Sequence, residues 1–378
     1  MSSSILVVGG GIGGLATAIA LQSTGNDVTV IEKQADLHSS VFGVGIIQPA
    51  NALRALDAIG CAQACLDAGY GAAAWGSMYD ADGNFLRDMP GTLIEGSDFP
   101  PMNGVTRPHL HQILTSRANE VGVDIRYSTT FEDLEADAAG VTVRFPGGTT
   151  ERFDLVVGAD GVRSQVRRHV LGAEIEPHYI GQSAFRVNVP RTPEIDRIVL
   201  QASRQGMAGF VPIGPDLAYF FYNAEMARDA RPPRGHLKEA LLGHIAHYGG
   251  LTGRVRDEYL VNVADDDIVL RPEESLIAAA PWHKGRVVLV GDAVHTVTPH
   301  LGQGAAQAIE DGVVLAETLA AHDDHEAAFA EYTARRYERC KLVVDTCLAI
   351  GDWEKGLLPD FDNIGATNHV LTVLAQPF

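Results

Sequence analysis

The residues best suited to chemistry sit together at 291–304, in the run Gly-Asp-Ala-Val-His-Thr-Val-Thr-Pro-His-Leu-Gly-Gln-Gly. An apolar run at 287–290 precedes it, and a helix-forming segment at 303–321 follows. A strand, a turn carrying an acid and a glycine-rich helix start suit a bulky anionic ligand. The helix start offers free N–H groups and the positive end of a dipole. Asp292 would accept from a sugar hydroxyl. Gly302 and Gly304 let a flat ligand approach the backbone closely.

The elements that position a second ligand segment stand at the N-terminus. Ile5-Leu6-Val7-Val8 reads as a buried parallel strand. Gly9, Gly11 and Gly14 then fall at the G-x-G-x-x-G positions, with Gly13 inside the motif. Residues 15–22 continue as a helix, and Val28-Thr29-Val30-Ile31 forms a second strand ending in Glu32, 18 residues after Gly14. That frame binds a dinucleotide. The glycines admit a pyrophosphate, and the acid takes the adenosine ribose hydroxyls. The negative charge of Glu32 disfavours a 2′-phosphate, so the ligand is NAD or FAD rather than NADP.

A third glycine–acid site follows the apolar strand Leu155-Val156-Val157, at Gly158-Ala159-Asp160-Gly161-Val162-Arg163-Ser164. An ordinary turn around Asp160-Gly161 competes with a functional reading. The central strand before it and the charges of Arg163 and Arg167 favour function.

In this order and spacing the three motifs resemble the single-component FAD-dependent aromatic hydroxylases with the para-hydroxybenzoate hydroxylase fold. The resemblance spans nearly the whole chain, from Gly9 to the helix bearing Tyr332, Arg336 and Arg339, with Ile309-Glu310-Asp311 between. It implies that Gly11, Gly13, Gly14, Glu32 and Lys33 hold the ADP part of FAD. It places Asp160 near the pyrophosphate and the path of NADH or NADPH, and Asp292 on the ribityl chain. Gly302, Gly304 and Ala305 would lie under the flavin, Arg107 of Val-Thr-Arg-Pro-His-Leu would reach FAD, and Val44 and Gln48 would fall in a stretch beside the ring. A single dinucleotide fingerprint implies a nicotinamide cofactor bound only transiently.

The implied activity is hydroxylation of a small phenolic or N-heteroaromatic ring through a flavin hydroperoxide. The flavin carries the hard steps, and the protein places the ring, excludes water and encourages loss of a phenol proton. His300 is the first candidate base, since hydroxypyridine hydroxylases of this family carry histidine at the matching place. A histidine bonded to backbone at a helix start is the alternative. Arg186 would hold an acidic substrate group or the nicotinamide, with an exposed strand arginine as the alternative; Tyr222 would meet a substrate hydroxyl, and Pro299 the flavin through its carbonyl. Tyr219, Phe221 and Asn223 share one strand face, and Phe220 and Tyr222 the other. His295 reads as structural. Other flavin chemistries on the same fold compete: an isoprenoid reductase, an epoxidase, or a halogenase, the last disfavoured by the missing W-x-W-x-I-P signature. A non-catalytic NAD-binding redox sensor would not need the second and third glycine–acid sites.

The remaining material reads as a Rossmann-like α/β domain with an inserted antiparallel sheet and a C-terminal helix. The cofactor domain takes 1–70, 101–178 and 270–345, the substrate sheet 71–100 and 179–269, and a tail 346–378. A hairpin is expected around Asp82-Gly83 and a turn at Gly214-Pro215-Asp216. A helix is expected at 330–348, and an irregular tail from Asp352. At 378 residues and 46% hydrophobic content the chain can bury a large core. A net charge of −19 argues against nucleic acid or an anionic membrane as partner. The N-terminus lacks a signal-peptide pattern, and Cys61, Cys65, Cys340 and Cys347 show neither a disulfide framework nor a metal set. A cytoplasmic monomer or homodimer is expected, with a small aromatic substrate and dioxygen as partners.

Overall fold

The computed structural model describes residues 2–36, 44–89, 91–172 and 175–378. Its first sheet is six-stranded, in the order His283–Lys284, Val287–Leu289, Leu155–Gly158, Ser4–Val8, Asp27–Ile31, Asp124–Arg126. All neighbours are parallel except His283–Lys284 at the edge. The central strand buries Ile5, Leu6, Val7 and Val8, as a strand covered on both faces must.

Helix Ile12–Ser23 crosses from the first strand to the second and is buried along most of its length. One side packs on the sheet and the other on helix Gly304–Ala321. Small residues permit that contact. A Cβ on Gly312 would stand 2.7 Å from the Thr17 Cα, and one on Gly13 would stand 3.0 Å from the Ala308 Cβ.

The second sheet is seven-stranded: Val269–Ser275, His178–Pro190, Leu217–Glu225, Gly206–Pro212, Ile198–Ser203, Gly76–Asp80, Phe85–Met89. It is antiparallel but for one parallel pair, Ile198–Ser203 with Gly76–Asp80. The Asp82-Gly83 hairpin forms, with Asp80 accepting from the Asp82 and Asn84 amides. The Val269–Ser275 strand, at the start of the last cofactor-domain segment expected from sequence, pairs along His178–Pro190. One face of this sheet buries Phe185, Val187, Phe210, Phe220 and Tyr222 in a cluster with residues of helices Leu237–His244 and Gly250–Glu258. The other face carries Arg186, Tyr219 and Phe221.

The C-terminal region departs from expectation. The helix expected at 330–348 runs from His325 to Glu354, capped by Asp324. The tail is not irregular, because a further helix occupies Asn363–Ala375. Its intrinsic propensity is low, with Gly365 and several β-branched residues. Tertiary packing holds it instead: Ile364, Thr367, Val370, Leu371 and Leu374 are buried at helical spacing. Arg54 and Arg339 donate to its last carbonyls, at Ala375 (2.8 Å) and Val373 (3.2 Å). Cations at a helix C-terminus are favourable there.

All four cysteines are free and buried. Burial pushes the Cys61 thiol up to about 12 and the Cys65 thiol up to about 11. No helix among the described residues is long and apolar enough to cross a membrane.

Candidate active site

A cleft follows the C-terminal ends of the parallel strands, where open α/β sheets bind ligands. One end is lined by Gly11, Glu32, Lys33, Asp160 and Gly161. The middle is lined by Gly13, Arg107, Asp292, Gly302, Gly304 and Ala305, with Gly11, Ala159 and Gly161 shared between the two stretches. Ile47, Arg186, Tyr219 and Pro299 carry the wall onward into a chamber against the second sheet. Residues 32 and 300 thus face one continuous space.

The glycines of the first turn have different jobs. Gly9 takes a φ of +108°, and a Cβ on Gly14 would stand 1.9 Å from the Gly9 carbonyl oxygen. Gly14 therefore serves helix–strand packing and makes no opening for a ligand. A Cβ on Gly11 or Gly304 would meet nothing within 4 Å. Those two positions leave room for a ligand at the starts of two helices, Ile12–Ser23 and Gly304–Ala321. Neither helix has a side-chain cap, so their first N–H groups remain for an anion.

The acids also divide. Glu32 accepts from the Gly10 amide (2.8 Å) and the Gln34 amide (2.9 Å). A carboxylate has about four acceptor sites, which leaves capacity for ribose hydroxyls. Asp160 accepts from Ser164 Oγ (2.5 Å) and from the Gln165 and Val166 amides. Its carboxylate thus ties down the start of helix Gln165–Leu171. Arg167, expected to add charge to the cleft, is buried and donates to the carbonyls of Ile175, Ala293 and Val162. Val44 is buried in the cluster around Ile213 and Tyr219, so its side chain does not line the cleft. Gly43, beside it, lies outside the described residues.

Asp292 and Arg107 face each other across the middle of the cleft. Among the described residues neither side chain has a hydrogen-bond partner. Asp292 is exposed to the open cleft; the protein on either side of it pushes its carboxyl above the ordinary value, against the pull of His295 and Arg107. A free acceptor and a free cation over two uncapped helix starts fit a ligand with hydroxyls and a pyrophosphate.

The Asp292 turn is fixed from behind. Asp311 accepts from the Gly291 amide (2.7 Å), His295 Nε2 (2.5 Å) and Arg336 Nε (2.7 Å). Arg336 also pairs with Glu310, and all of these side chains are fully buried or nearly so. Burial pushes Asp311 up, but His295 and Arg336 overcome it and hold the carboxyl down at about 2. His295 is therefore structural. His111, not singled out by sequence, bonds the Gly10 carbonyl through Nε2 at 2.8 Å.

The chamber wall is largely apolar: Trp75, Ile198, Leu200, Met207, Phe221 and Leu301. Its polar groups are Arg186, Tyr219, Asn223, His300, Glu354 and Asn363. Tyr222 is not among them. It is on the opposite sheet face, packed near His244 and Tyr248, with its hydroxyl donating to the Gln205 carbonyl at 2.5 Å. Register explains this: Arg186 pairs with Phe221 and Phe185 with Tyr222, so the two sets point oppositely. On this strand the residues that face the chamber are Tyr219, Phe221 and Asn223. Gln48 is buried and accepts from Asn103 Nδ2 (2.7 Å), away from the chamber.

His300 reaches the chamber with its side chain enclosed. Nδ1 bonds Thr298 Oγ1 at 2.9 Å, and Nε2 lies 3.6 Å from Glu273 and 3.5 Å from Glu354. Burial lowers its pKa, but the two carboxylates outweigh burial and raise it above the ordinary histidine value. His300 therefore holds a proton more readily than a free histidine does. Sequence reasoning overlooked Glu273 and Glu354, which lie far apart in the chain and match no motif.

The FAD binding domain family matches residues 2–347, and the chain belongs to that family. It is 33% identical over 344 residues to a Bacillus subtilis protein described as a putative FAD-dependent monooxygenase, YetM, covering 90% of each chain. It is 32% identical to 6-hydroxynicotinate 3-monooxygenase of Pseudomonas fluorescens, covering 90% of this chain and 89% of that one. Klebsiella pneumoniae HpxO, solved with FAD and uric acid, has the same fold, with a TM-score of 0.80 at 22% identity over 99% of this chain and 93% of that one. The protein is an FAD-dependent monooxygenase.

Proposed function

We propose that this monooxygenase hydroxylates a small phenolic or N-heteroaromatic ring, using NADH or NADPH and dioxygen. The observation that carries the reading is the continuity of the cleft: a dinucleotide groove opens at Pro299 and His300 into a mostly apolar chamber with few polar groups. Such a chamber accepts a flat ring and orients it by its polar substituents. The hydroxynicotinate-acting relative supports the substrate class. When bound, FAD accepts hydride from the nicotinamide and activates dioxygen.

The chain's own residues do the rest. Glu32 and Lys33 hold the adenosine end, Asp292 the ribityl hydroxyls, and Gly302, Gly304 and Ala305 bring backbone against the ring system. Arg107 offsets the ligand's negative charge. Phe221, Trp75 and Leu200 exclude water, and Arg186, at the junction, meets an acidic substituent or the nicotinamide. His300, when protonated, steadies a phenolate, because charge in a water-poor chamber is felt strongly.

A panel of phenols, hydroxybenzoates and hydroxypyridines tests this. NAD(P)H oxidation, dioxygen uptake and hydrogen peroxide release are measured together. At least one ring should stimulate turnover with little peroxide. If every ring leaves NAD(P)H oxidation at its basal rate, or all dioxygen returns as peroxide, the reading fails.

A further inference from the structure

Glu354 closes the long helix His325–Glu354 and occupies an unusual place. It lines the substrate chamber, and it also lines a separate surface pocket with Ala202, Ser203, Gly206, Met207 and Trp353. Apolar Met207 is also common to the two cavities, so Glu354 is the titratable group they share. Its side chain is nevertheless only 5% exposed. Oε2 accepts from Gln182 Nε2 (3.0 Å) and Asn223 Nδ2 (3.1 Å), while Oε1 has only a 3.5 Å contact to Asn223. His300 Nε2 stands 3.5 Å away without a hydrogen-bond partner, and both oxygens of buried Glu273 also lack one.

We propose that Glu354 takes the proton of the substrate hydroxyl and passes it to solvent through the second pocket. The inference rests on the hydroxylase reading given above. His300 is poorly placed for the same task, because Nδ1 is engaged by Thr298 and Nε2 faces two carboxylates. The step balances. The substrate O–H bond breaks, its electron pair stays on the oxygen, and an O–H bond forms on Glu354. The charge moves from Glu354 to the phenolate, still beside the His300 ring. Glu354 then releases the proton to water on the side of Ser203 and Trp353.

The charged groups around it are consistent with this traffic. Glu273 comes from the Val269–Ser275 strand, and its carboxyl is pushed up by burial. Arg186 comes from the His178–Pro190 strand. Lys355, next in sequence, is occupied by the Ile180 carbonyl (2.7 Å) and Asp352 (3.0 Å). Behind the sheet, Tyr222 and Tyr248 keep their protons, both being pushed up by burial.

The test compares holoenzyme of the wild type, Glu354→Gln, Glu354→Asp and Glu273→Gln, with the ring that wild type hydroxylates best. A positioned base contributes roughly 100- to 10,000-fold. Glu354→Gln should lose at least about 100-fold in hydroxylation at neutral pH. Flavin reduction by NAD(P)H alone should fall far less than hydroxylation. The lost rate should return as pH rises through the substrate's own phenol pKa. The absorbance of the bound phenol in the oxidised enzyme gives a reading without turnover: a phenolate band in wild type, shifted to higher pH in Glu354→Gln and unmoved in Glu273→Gln. Glu354→Asp, which keeps the carboxyl, should retain the neutral-pH phenolate band even where Glu354→Gln folds poorly. An unchanged rate and band in Glu354→Gln overturns the proposal, as does a loss that alkaline pH does not rescue. Wild type inactive on every ring refutes the hydroxylase reading instead.

Discussion

Replacing Asp292 by alanine isolates the chain's free acceptor in the middle of the cleft. The carboxyl has no partner among the described residues, and the protein on either side pushes its pKa up. Removing it from the cofactor-free protein therefore breaks no hydrogen bond and takes away a side chain that is exposed in the open cleft. The melting temperature of the apoprotein should not fall. With FAD present the balance reverses, because the ribityl hydroxyls lose a charged acceptor. A hydrogen bond to a charged group contributes about 1.5–3 kcal/mol. At 1.4 kcal/mol per decade, that weakens the FAD dissociation constant by about 10- to 150-fold. Asp292→Asn keeps one acceptor oxygen without its charge, and its loss should be smaller, about 0.5–1.5 kcal/mol. Titration of apoprotein with FAD, followed by flavin fluorescence, measures both. Equal dissociation constants for wild type and Asp292→Ala would refute the placement. So would a fall in apoprotein stability, which would show that the carboxylate is a structural partner.

The glycines give a paired prediction: Gly14→Ala should prevent folding because its Cβ would overlap the Gly9 carbonyl, whereas Gly304→Ala should fold and bind FAD more weakly, as circular dichroism and flavin titration would show. Tyr222→Phe should cost about 1–3 kcal/mol by leaving the Gln205 carbonyl unpaired, with little effect on KM. Phe221→Ala should instead raise peroxide release, and the reverse pattern would invalidate the assignment of sheet faces. Arg336→Met should cost about 3–5 kcal/mol at neutral pH by stranding Glu310 and Asp311, and urea melts would detect it. Asp311 is depressed in the fold from 3.8 to about 2, so its stabilisation is present above pH 4 and is lost as pH falls from about 4 toward 2. The wild-type loss over that window, on the order of 2 kcal/mol, should shrink in Arg336→Met.

What sequence revealed, and what it concealed, follows from the kind of interaction involved. Residues 9–32 and 291–304 are legible because backbone geometry demands glycine at fixed offsets, and a strand must precede and a helix follow. Local spacing carries that information. The facing of the Leu217–Glu225 strand is not local. Tyr219 and Tyr222 are both aromatic with a polar tip, and only the packing of Phe185, Phe220 and Tyr222 beside residues from the Leu237–His244 helix decides which face is core. Asp160 is open to two readings for a related reason, since an acid after a strand and before a helix can line a ligand cleft and cap the helix, and here it lines the cleft and caps the helix. The Asn363–Ala375 helix did leave a trace in the spacing of Ile364, Thr367, Leu371 and Leu374. Its weak helix formers masked that trace, because its stability comes from burial rather than propensity.

The division of labour in the cleft also explains how one scaffold can serve different rings. The cofactor is held by turns whose positions are locked by groups the ligand never touches: Asp311 on the Gly291 amide, Arg336 on Asp311, His111 on the Gly10 carbonyl. Altering those groups disturbs the fold itself. The substrate chamber is assembled from the second sheet's face opposite Phe185 and Phe220 and from the C-terminal helices, through Leu200, Met207, Phe221, Glu354 and Asn363. None of these supports the cofactor turns. Side chains there can change size or polarity while the dinucleotide groove stays intact, so the glycine–acid motifs report the cofactor and are silent about the ring. Specificity must be read from the sheet face opposite Pro299, and the Glu273–His300–Glu354 group marks where a substrate hydroxyl would point.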